Sequence, residues 1–311
     1  ILINTVCSFF NINKYRFGIS IVWRQNRLRE LINRVLGIKS APILEAKYYK
    51  QRSVFKPKNL LREARRQLGV SLGPVPDFVV LDPDGDILDY LAKADEATLN
   101  PFWACYHTKL YEFNLGGSKL GIIGRAVGGS FAVLLAEQLF ASGCKFIINI
   151  TSAGKIEDNL RTPSYIFVNK ALRDEGTSLH YLPPADFVSI RPELLSIFSL
   201  ASWRKELRVR VGAVWTTDAP YRETAGAIES AKRRGLLAVE METASLYAFA
   251  EATSNFVVSF AFVTNEMAQK GQDFEKGVSG GAINALELID ETVGALNFLL
   301  SRGRLKLQKA F

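Results

Sequence analysis

Two glutamates separated by one residue stand at the start of an apolar run in the last third of the chain. Glu240 and Glu242 flank Met241, and the run AVEMETASLYAF, from Ala238 to Phe249, is typical of a helix buried on most of its faces. An ionised carboxylate is costly to bury unless it is paired or hydrogen-bonded. The pattern therefore indicates either two acids that bind a polar ligand, or a helix whose N-terminus one glutamate caps while the other is solvated.

A glycine-containing segment, GIIGRAVGGSFAVLLAEQL, could bring backbone amides to a ligand. It predicts a strand, a tight turn at Gly128 and Gly129, and a helix from Ser130 whose N-terminus would favour an anion or a polarised hydroxyl. The glycine spacing fits neither a dinucleotide-binding loop nor a P-loop. It also falls short of a nucleophile elbow, because Ala132 stands where the last glycine should be. Close packing of strand against helix explains the glycines equally well.

A second segment, INITSAGKI, predicts a strand that ends in small hydroxylated residues, among them Ser152. Ligands collect at the carboxyl ends of strands in a parallel sheet, so Thr151 to Gly154 is either a ligand-binding edge or an ordinary turn. Three more polar segments follow apolar stretches: ALRDEGTSLHYLPP, VWTTDAPYRET and FAFVTNEMAQ. In the first of these, His180 is more easily explained as a structural histidine than as a general base.

Composition excludes several classes of protein. With 311 residues, 48% of them hydrophobic, the chain can bury a full core, and no run of about 18 uncharged apolar residues predicts a membrane-spanning helix. Cys7, Cys105 and Cys144 are too far apart to suggest a metal site or a disulfide, which favours a reducing, cytoplasmic setting. We expect no cofactor and no metal.

The net charge of +8 is unevenly distributed. Residues 1–66 hold 15 Lys or Arg and three Glu, a charge of +12, so the remainder carries −4. Such a basic arm can bind nucleic acid or anionic lipid. No zinc, helix-turn-helix or aromatic-stacking pattern accompanies it, so we expect neither nucleic acid nor membrane as a partner.

The order of elements predicts the fold class. Strands and helices alternate from Phe78 onward, which predicts a single α/β domain with a central mixed, mostly parallel sheet flanked by helices. Within it, 192–207 and 221–234 are each predicted to be one helix. The predicted organisation is a poorly defined basic N-terminal extension (1–40, poorly ordered or upstream sequence read through), a helical lead-in and linker (41–76), the α/β domain (77–302) and a basic tail (303–311).

Taken in order, these segments resemble the nucleoside phosphorylase and nucleosidase superfamily, which includes purine nucleoside phosphorylase, uridine phosphorylase and methylthioadenosine nucleosidase. The resemblance covers about Asp77 to Leu300. VEMETASLY is its most specific part, followed by RDEGTSLHYLPP and TTDAPYRET, with the glycine segment and TSAG as support. It implies a nucleoside phosphorylase-like fold and a homo-oligomer.

The resemblance also implies roles for individual residues. Glu242 would hydrogen-bond the ribose hydroxyls, Met241 would lie under the sugar, Glu240 would lie near the base, and Tyr221 would be an aromatic neighbour of base or sugar. Cleaving an N-glycosidic bond builds positive charge on the sugar, which a carboxylate stabilises. Asn265 stands where several relatives have an aspartate that protonates or polarises the purine, and an amide cannot supply that proton.

The phosphate site implied by the resemblance is altered. Where relatives have a glycine loop with an arginine and a second arginine on a strand, this chain has the acidic turn from Asp82 to Asp86, and Asn149. The groups that remain to bind phosphate are Arg125, Gly128, Gly129 and Ser152. Asp84 or Asp86 could instead activate water, as a first-loop carboxylate does in the nucleosidases.

The leading hypothesis is therefore a nucleoside phosphorylase-type pentosyltransferase in nucleotide salvage. It would cleave the N-glycosidic bond of a purine or pyrimidine nucleoside to free base and (phospho)ribose, with phosphate as a possible co-substrate. One alternative is a nucleosidase that uses water, and another is a non-catalytic nucleoside-binding protein of the same fold. An ester hydrolase built on Ser130, His180 and Asp174 or Asp218 is disfavoured because the elbow is incomplete.

Overall fold

A computed structural model describes residues 41–45, 47–267 and 273–307. The chain divides into two compact units, residues 1–46 and 47–311. The described part of the first unit holds one 3-10 turn, Pro42–Leu44. The predicted extension, 1–40, and the end of the predicted tail, 308–311, lie outside the described residues. Every strand and α-helix that the structure describes belongs to the second unit.

Strands and helices alternate along most of this unit. The strands are β1 Phe78–Asp82, β2 Thr98–Leu99, β3 Tyr111–Leu115, β4 Ser118–Gly124, β5 Phe146–Lys155, β6 Ser164–Asp174, β7 Phe187–Ser189, β8 Arg210–Thr217, β9 Leu236–Glu240 and β10 Phe256–Asn265. The α-helices are α1 Pro57–Leu68, α2 Asp86–Lys93, α3 Gly129–Ala141, α4 Ser178–Tyr181, α5 Ile197–Leu200, α6 Ala225–Arg233, α7 Thr243–Thr253 and α8 Ala282–Ser301. Short 3-10 turns lie at Pro192–Leu194, Lys205–Leu207, Pro220–Arg222 and Val278–Gly281. None of the helices described is both long and apolar enough to cross a membrane.

The described strands form one mixed sheet, which confirms the predicted α/β class. Its order is β10-β6-β8-β9-β5-β1-β4-β3-β2, with β7 on β6. An additional pairing of β10 with β5 closes β5, β10, β6, β8 and β9 into a ring. The sequence did not predict this closure, because the antiparallel pairing of β9 with β5 joins distant parts of the chain.

Strand β5 changes neighbours along one of its edges, and this change creates a gap in the sheet. On that edge β1 pairs with residues 146–149 and β9 pairs with residues 154–155. β10 covers the opposite edge from 146 to 154. Among the described strands, none pairs with residues 150–153 on the edge between β1 and β9. A ligand can therefore approach β5 at the carboxyl end of β1, where α/β sheets bind their ligands.

Helices cover both faces of the sheet. All five residues of β1 and all ten of β10 are buried, as expected for strands with helices on both sides. Helix α2 contacts α8, and α3 contacts α7. Successive side chains of a strand point to opposite faces. Ile150 and Ser152 of β5 lie near residues of α2 and α8, whereas Thr151 lies beside Glu242 at the start of α7, so the two helix pairs lie on opposite faces.

The predicted single helix over 192–207 is wrong. The chain instead forms two 3-10 turns and the short helix α5. It leaves the helical path after α5 because the N–H of Ser202 donates to the Glu291 carboxylate on α8 (2.8 Å), and the Trp203 indole donates to the carbonyl of Phe198 (2.9 Å). Tertiary hydrogen bonds override the local apolar spacing here.

Two other boundaries also differ from prediction. The helix expected over 221–234 begins only at Ala225, because the Thr224 hydroxyl caps it by accepting from the N–H of Ala227 (3.3 Å). The turn offered as one alternative for 151–154 is wrong, since β5 continues to Lys155. Pairing with β10 and β9 keeps this segment extended.

Candidate active site

Glu240 is the last residue of β9, and its buried carboxylate caps helix α7. Its Oε2 accepts hydrogen bonds from the N–H groups of Glu242 (2.9 Å) and Thr243 (2.8 Å) and from the Thr243 hydroxyl (2.9 Å). Its Oε1 accepts from the hydroxyl of Thr216 on β8, which in turn accepts from the N–H of Ala244 (3.0 Å). The cap that the sequence offered as one alternative is present, and Glu240 provides it.

Glu242 is not the solvated partner of that alternative, because it is only 1% exposed. Its Oε1 accepts from the N–H of Gly128 (2.6 Å), and its Oε2 accepts from the Thr151 hydroxyl (2.6 Å). These hydrogen bonds fix the carboxyl group and leave part of its acceptor capacity for a ligand. Glu242 thus lies at the gap beside β5 with acceptor capacity to spare.

The two glutamates have perturbed acidities. Burial raises the pKa of Glu242 from 4.5 to about 8; the charge of Glu240 adds to this, and the hydrogen bonds from Thr151 and Gly128 oppose it. Burial likewise raises the pKa of Glu240. Burial thus favours the protonated form of Glu242 at neutral pH. A positive charge forming beside it would favour the carboxylate.

Three successive residues of β5 hydrogen-bond to the three predicted catalytic residues. Thr151, Ser152 and Ala153 bond in that order to Glu242, Asp84 and Asn265. Thr151 and Ser152 donate through their hydroxyls, and the Ala153 carbonyl accepts from the amide. Because neighbouring side chains leave a strand on opposite faces, Glu242 and Asp84 approach the gap from its two sides.

Asn265 ends β10 and is 7% exposed. Its Nδ2 donates to the carbonyl of Ala153 (3.4 Å) and the hydroxyl of Thr264 (3.2 Å), and its Oδ1 accepts from the N–H of Met267 (2.9 Å). The amide is oriented by protein groups. It can bind the edge of a base, but it has no acidic proton to give.

The acidic turn after β1 is built around Asp82, which is 2% exposed. Its carboxylate accepts from the N–H groups of Gly85 (3.1 Å) and Leu88 (3.0 Å), at the start of α2. Burial raises its pKa to about 6, and the charges of Asp84 and Asp86 contribute, although the two hydrogen bonds oppose the shift. The turn is thus a preorganised group of acids at the end of β1.

A small cavity lies against this turn. It offers about 20 Å³, room for about one water molecule. It is lined by Asp82, Asp84, Asp86, Ile87, Ile150, Ser152, Phe262, Gly280, Gly281 and Ala285. Lys276 pairs with two of these lining residues, with Nζ 2.6 Å from Asp84 Oδ2 and 2.5 Å from Asp86 Oδ2. Sequence reasoning missed Lys276, since nothing local links it to carboxylates some 190 positions away.

Arg125, predicted to bind phosphate, is already paired. Its Nη2 donates to both carboxylate oxygens of Asp89 (2.9 and 2.7 Å), and its side chain is 60% exposed. The guanidinium lies over Gly85, where a Cβ atom would approach it to 3.1 Å. Arg125 and Lys276 are therefore each neutralised by carboxylates of this same region.

The two glycines that open α3 have different roles. Gly128 has a φ of +91° and uses its N–H to bind Glu242. At Gly129 a Cβ atom would lie 2.1 Å from the Ser245 hydroxyl on α7. That hydroxyl donates to the buried carboxylate of Glu175 (2.5 Å). One glycine thus serves the site, and the other serves close helix packing.

Several residues predicted for the site make no contact with Glu242, Asp84 or Asn265 among the hydrogen bonds described above. Met241 lies between the two glutamates and is partly exposed, whereas Tyr221 is fully exposed on its 3-10 turn. Asn149 is fully buried, and its Nδ2 donates to the Ser259 hydroxyl (3.3 Å). His180 is exposed on α4.

The ester hydrolase alternative has no triad to support it. In the part of the chain that the structure describes, no hydrogen bond joins Ser130, His180 and an aspartate. Asp174 instead accepts from the Trp215 indole (2.9 Å). Within 41–45, 47–267 and 273–307, no group of three or more His, Cys, Asp or Glu side chains is arranged to hold a metal ion.

Comparison with known proteins agrees with this architecture. The sequence profile of a family described as the phosphorylase superfamily matches residues 77–293. The chain is 31% identical over 162 residues to the uncharacterized protein R802 of Acanthamoeba polyphaga mimivirus, covering 51% of this chain and 61% of that protein. It is 30% identical over 153 residues to a DeoD-type purine nucleoside phosphorylase of Hahella chejuensis, covering 49% and 65%. The chain thus spans about three fifths of the length of the relatives it matches.

A solved structure gives the same fold at lower identity. The uridine phosphorylase of Vibrio fischeri, in complex with 6-hydroxy-1-naphthoic acid, superposes with a TM-score of 0.55 and 20% identity. The match covers 74% of this chain and 93% of that one. At this identity the likeness concerns the fold.

Proposed function

Because the chain belongs to the phosphorylase superfamily, we propose that it cleaves the N-glycosidic bond of a nucleoside and releases the free base. The observation that carries this proposal is the row of contacts along β5. Thr151, Ser152 and Ala153 bring Glu242, Asp84 and Asn265 around one short segment of β5, beside the gap in the sheet. One acid there can hold the sugar, the other can serve the acceptor, and the amide can hold the base.

Glu242 has the properties needed to stabilise the sugar in the transition state. Breaking the bond places positive charge on the ribose ring. Glu242 is buried and fixed by Gly128 and Thr151, so its carboxylate is already oriented when that charge develops. As that positive charge develops, it favours the carboxylate form of Glu242 and opposes the rise in pKa that burial causes.

The acceptor pocket supports water more than phosphate. Four carboxylates, those of Asp82, Asp84, Asp86 and Asp89, face two cations, and the cavity has room for about one water molecule. Phosphate carries nearly two negative charges, and two like unit charges 4 Å apart repel by about 4 kcal/mol at an effective dielectric constant near 20. Asp84, which accepts from Ser152, is placed to take a proton from that water.

Phosphorolysis is the second candidate, and the named relatives favour it. The relative from Hahella chejuensis is called a purine nucleoside phosphorylase, and the solved structure is called a uridine phosphorylase. In this chain, phosphate would have to separate Lys276 or Arg125 from its carboxylate partners. The shared step, cleavage of the N-glycosidic bond at Glu242, is the same in both candidates.

The experiment that tests the function is incubation of the purified protein with inosine, adenosine or uridine, with and without phosphate, while free base is measured. We expect release of base at the same rate without phosphate, and its loss in Glu242→Gln. Release that requires phosphate would replace hydrolysis by phosphorolysis. Nucleoside-dependent thermal stabilisation without any turnover would replace both by a binding protein.

A further inference from the structure

Lys276 lies on a segment that we call the strap, residues 273–281, between β10 and α8. Its ammonium contacts Asp84 and Asp86 at 2.6 and 2.5 Å, and its side chain is 23% exposed. The two carboxylates belong to the turn after β1, far away in the sequence. A single side chain therefore ties the strap to the acidic turn across the cavity.

The backbone of the strap is shaped to form the opposite wall of the cavity. Gly280 and Gly281 both line it and have φ values of +63° and +79°. A Cβ atom at Gly281 would lie 2.6 Å from the Phe262 ring, and one at Gly280 would lie 3.3 Å from Asp86. Ser279 also has a positive φ, +53°, which is uncommon for a residue with a side chain. The strap thus follows a path that its glycines permit and that places it against the cavity.

The charge on Lys276 persists in this position. Burial alone would lower the pKa of Lys276, but the hydrogen bonds and charges of Asp84 and Asp86 outweigh it and raise the pKa above its ordinary value. The ammonium is therefore protonated at neutral pH, and the two carboxylates that it contacts neutralise its charge. Arg125, the other cation of this region, is bound by Asp89. No cation that the structure describes at the cavity is left for an incoming anion.

We propose that the pairing of Lys276 with Asp84 and Asp86 selects the acceptor of the reaction. The inference rests on the proposed cleavage of a nucleoside. Because Lys276 is paired, it is not available to bind phosphate. The pairing also keeps the cavity at the size of one water molecule and positions Asp84 beside Ser152. The water oxygen bonds to the ribose C1′ as the C1′–N bond breaks and its electrons pass to the base. Asp84 takes the proton from water, and the leaving base takes one from solvent.

Lys276 acts here as a positioning residue, and its role can be separated from simple stabilisation of the strap. Replacing both aspartates by asparagine keeps their shape and leaves Ser152 a partner, yet removes the two negative charges that neutralise the ammonium. The structure then predicts a protein that binds phosphate through Lys276. A merely structural ion pair predicts lower stability and no gain of phosphate binding.

The experiment compares wild type, the double variant Asp84→Asn/Asp86→Asn, and the same double variant carrying Lys276→Met. Thermal unfolding is measured with inorganic phosphate and with chloride of equal ionic strength, and base release from a nucleoside is measured in parallel. We expect phosphate to raise the Tm of the double variant only, and any base release by that variant to depend on phosphate. Lys145→Met, which breaks an exposed pair with Asp77 of similar length, is the matched control and should respond as wild type does.

Two outcomes would overturn the inference. In the first, phosphate raises the Tm of wild type as much as that of the double variant; in the second, phosphate still raises the Tm of the triple variant. If the double variant fails to fold, Asp86→Asn alone removes one of the two charges that pair with Lys276. Phosphate should then raise the Tm of this single variant by a smaller amount. If wild type releases no base, the proposed function fails. The phosphate response still decides the role of Lys276 independently.

Discussion

Among single residues, Glu242 is expected to govern the pH dependence of stability. Its pKa is about 8 in the folded state against 4.5 ordinarily, so folding takes up a proton between these values and stability falls as pH rises across this window. A pKa that differs by one between the folded and unfolded states corresponds to about 1.4 kcal/mol. Glu242→Gln removes the titration, and its amide can accept from Gly128 while donating to the Thr151 hydroxyl. The free energy of unfolding, measured with urea from pH 5 to about 8, should depend less steeply on pH in the variant. The dependence that remains is due to Glu240, and an unchanged dependence would contradict the assignment.

Asp84 is expected to be the residue on which attack by water depends. Losing a positioned general base typically costs about 100-fold or more in rate. Asp84→Asn should therefore lower kcat for phosphate-free base release by about 100-fold, with a much smaller change in KM, because the ribose contact at Glu242 is untouched. The control is Asp158→Asn, which removes an exposed carboxylate paired with Lys232. Equal losses in the two variants would exclude Asp84 as the base.

Between elements, the contact of α3 with α7 is expected to hold the site together. Gly129→Ala would drive a methyl group into the Ser245 hydroxyl, which Glu175 fixes, and overpacking of this kind costs about 1–3 kcal/mol. The shift should also loosen the bond from Gly128 to Glu242 and lower the rate of base release. Gly226→Ala, at an open helical position, should be neutral or stabilising by up to about 1 kcal/mol. Denaturant unfolding of both variants, with rates of base release, checks the contrast.

The sequence was sufficient to predict the α/β class and several strand ends that carry polar residues. The helix expected over 238–249 is wrong at its start, because Leu236–Glu240 form β9 and pair with β8, so the helix begins only at Thr243. Glu240 and Glu242 were singled out because acids beside an apolar run are conspicuous, whereas Asn265 was identified through the family resemblance. Local patterns could not show that β9 replaces β1 along the edge of β5, which is what brings Thr151 to Glu242. Lys276 escaped notice for the same reason, since its partners are set by tertiary structure. The helix predicted over 192–207 was wrong because a hydrogen bond from Ser202 to the distant Glu291 takes the chain off the helical path.

At the scale of the whole molecule, α1 is part of the unit that carries the site. Leu61 and Ala64 of α1 are 2% and 1% exposed, and they pack with Ala104, which is fully buried. Helix α1 contacts α3, and Gly128, immediately before α3, donates to Glu242. The family match begins only at residue 77, so it leaves α1 out.

Two shortened chains test whether the site depends on α1. A chain of residues 47–311 keeps the whole second compact unit, and we expect it to unfold cooperatively and release base at nearly the full rate. A chain of residues 77–311 exposes the apolar surface that α1 covers, and burying a large aliphatic side chain such as Leu61 is worth about 2 kcal/mol. It should melt at a lower temperature and lose activity in proportion to the fraction unfolded. Thermal melts followed by circular dichroism, together with base release, distinguish the two chains, and equal stability would mean that α1 does not support the fold.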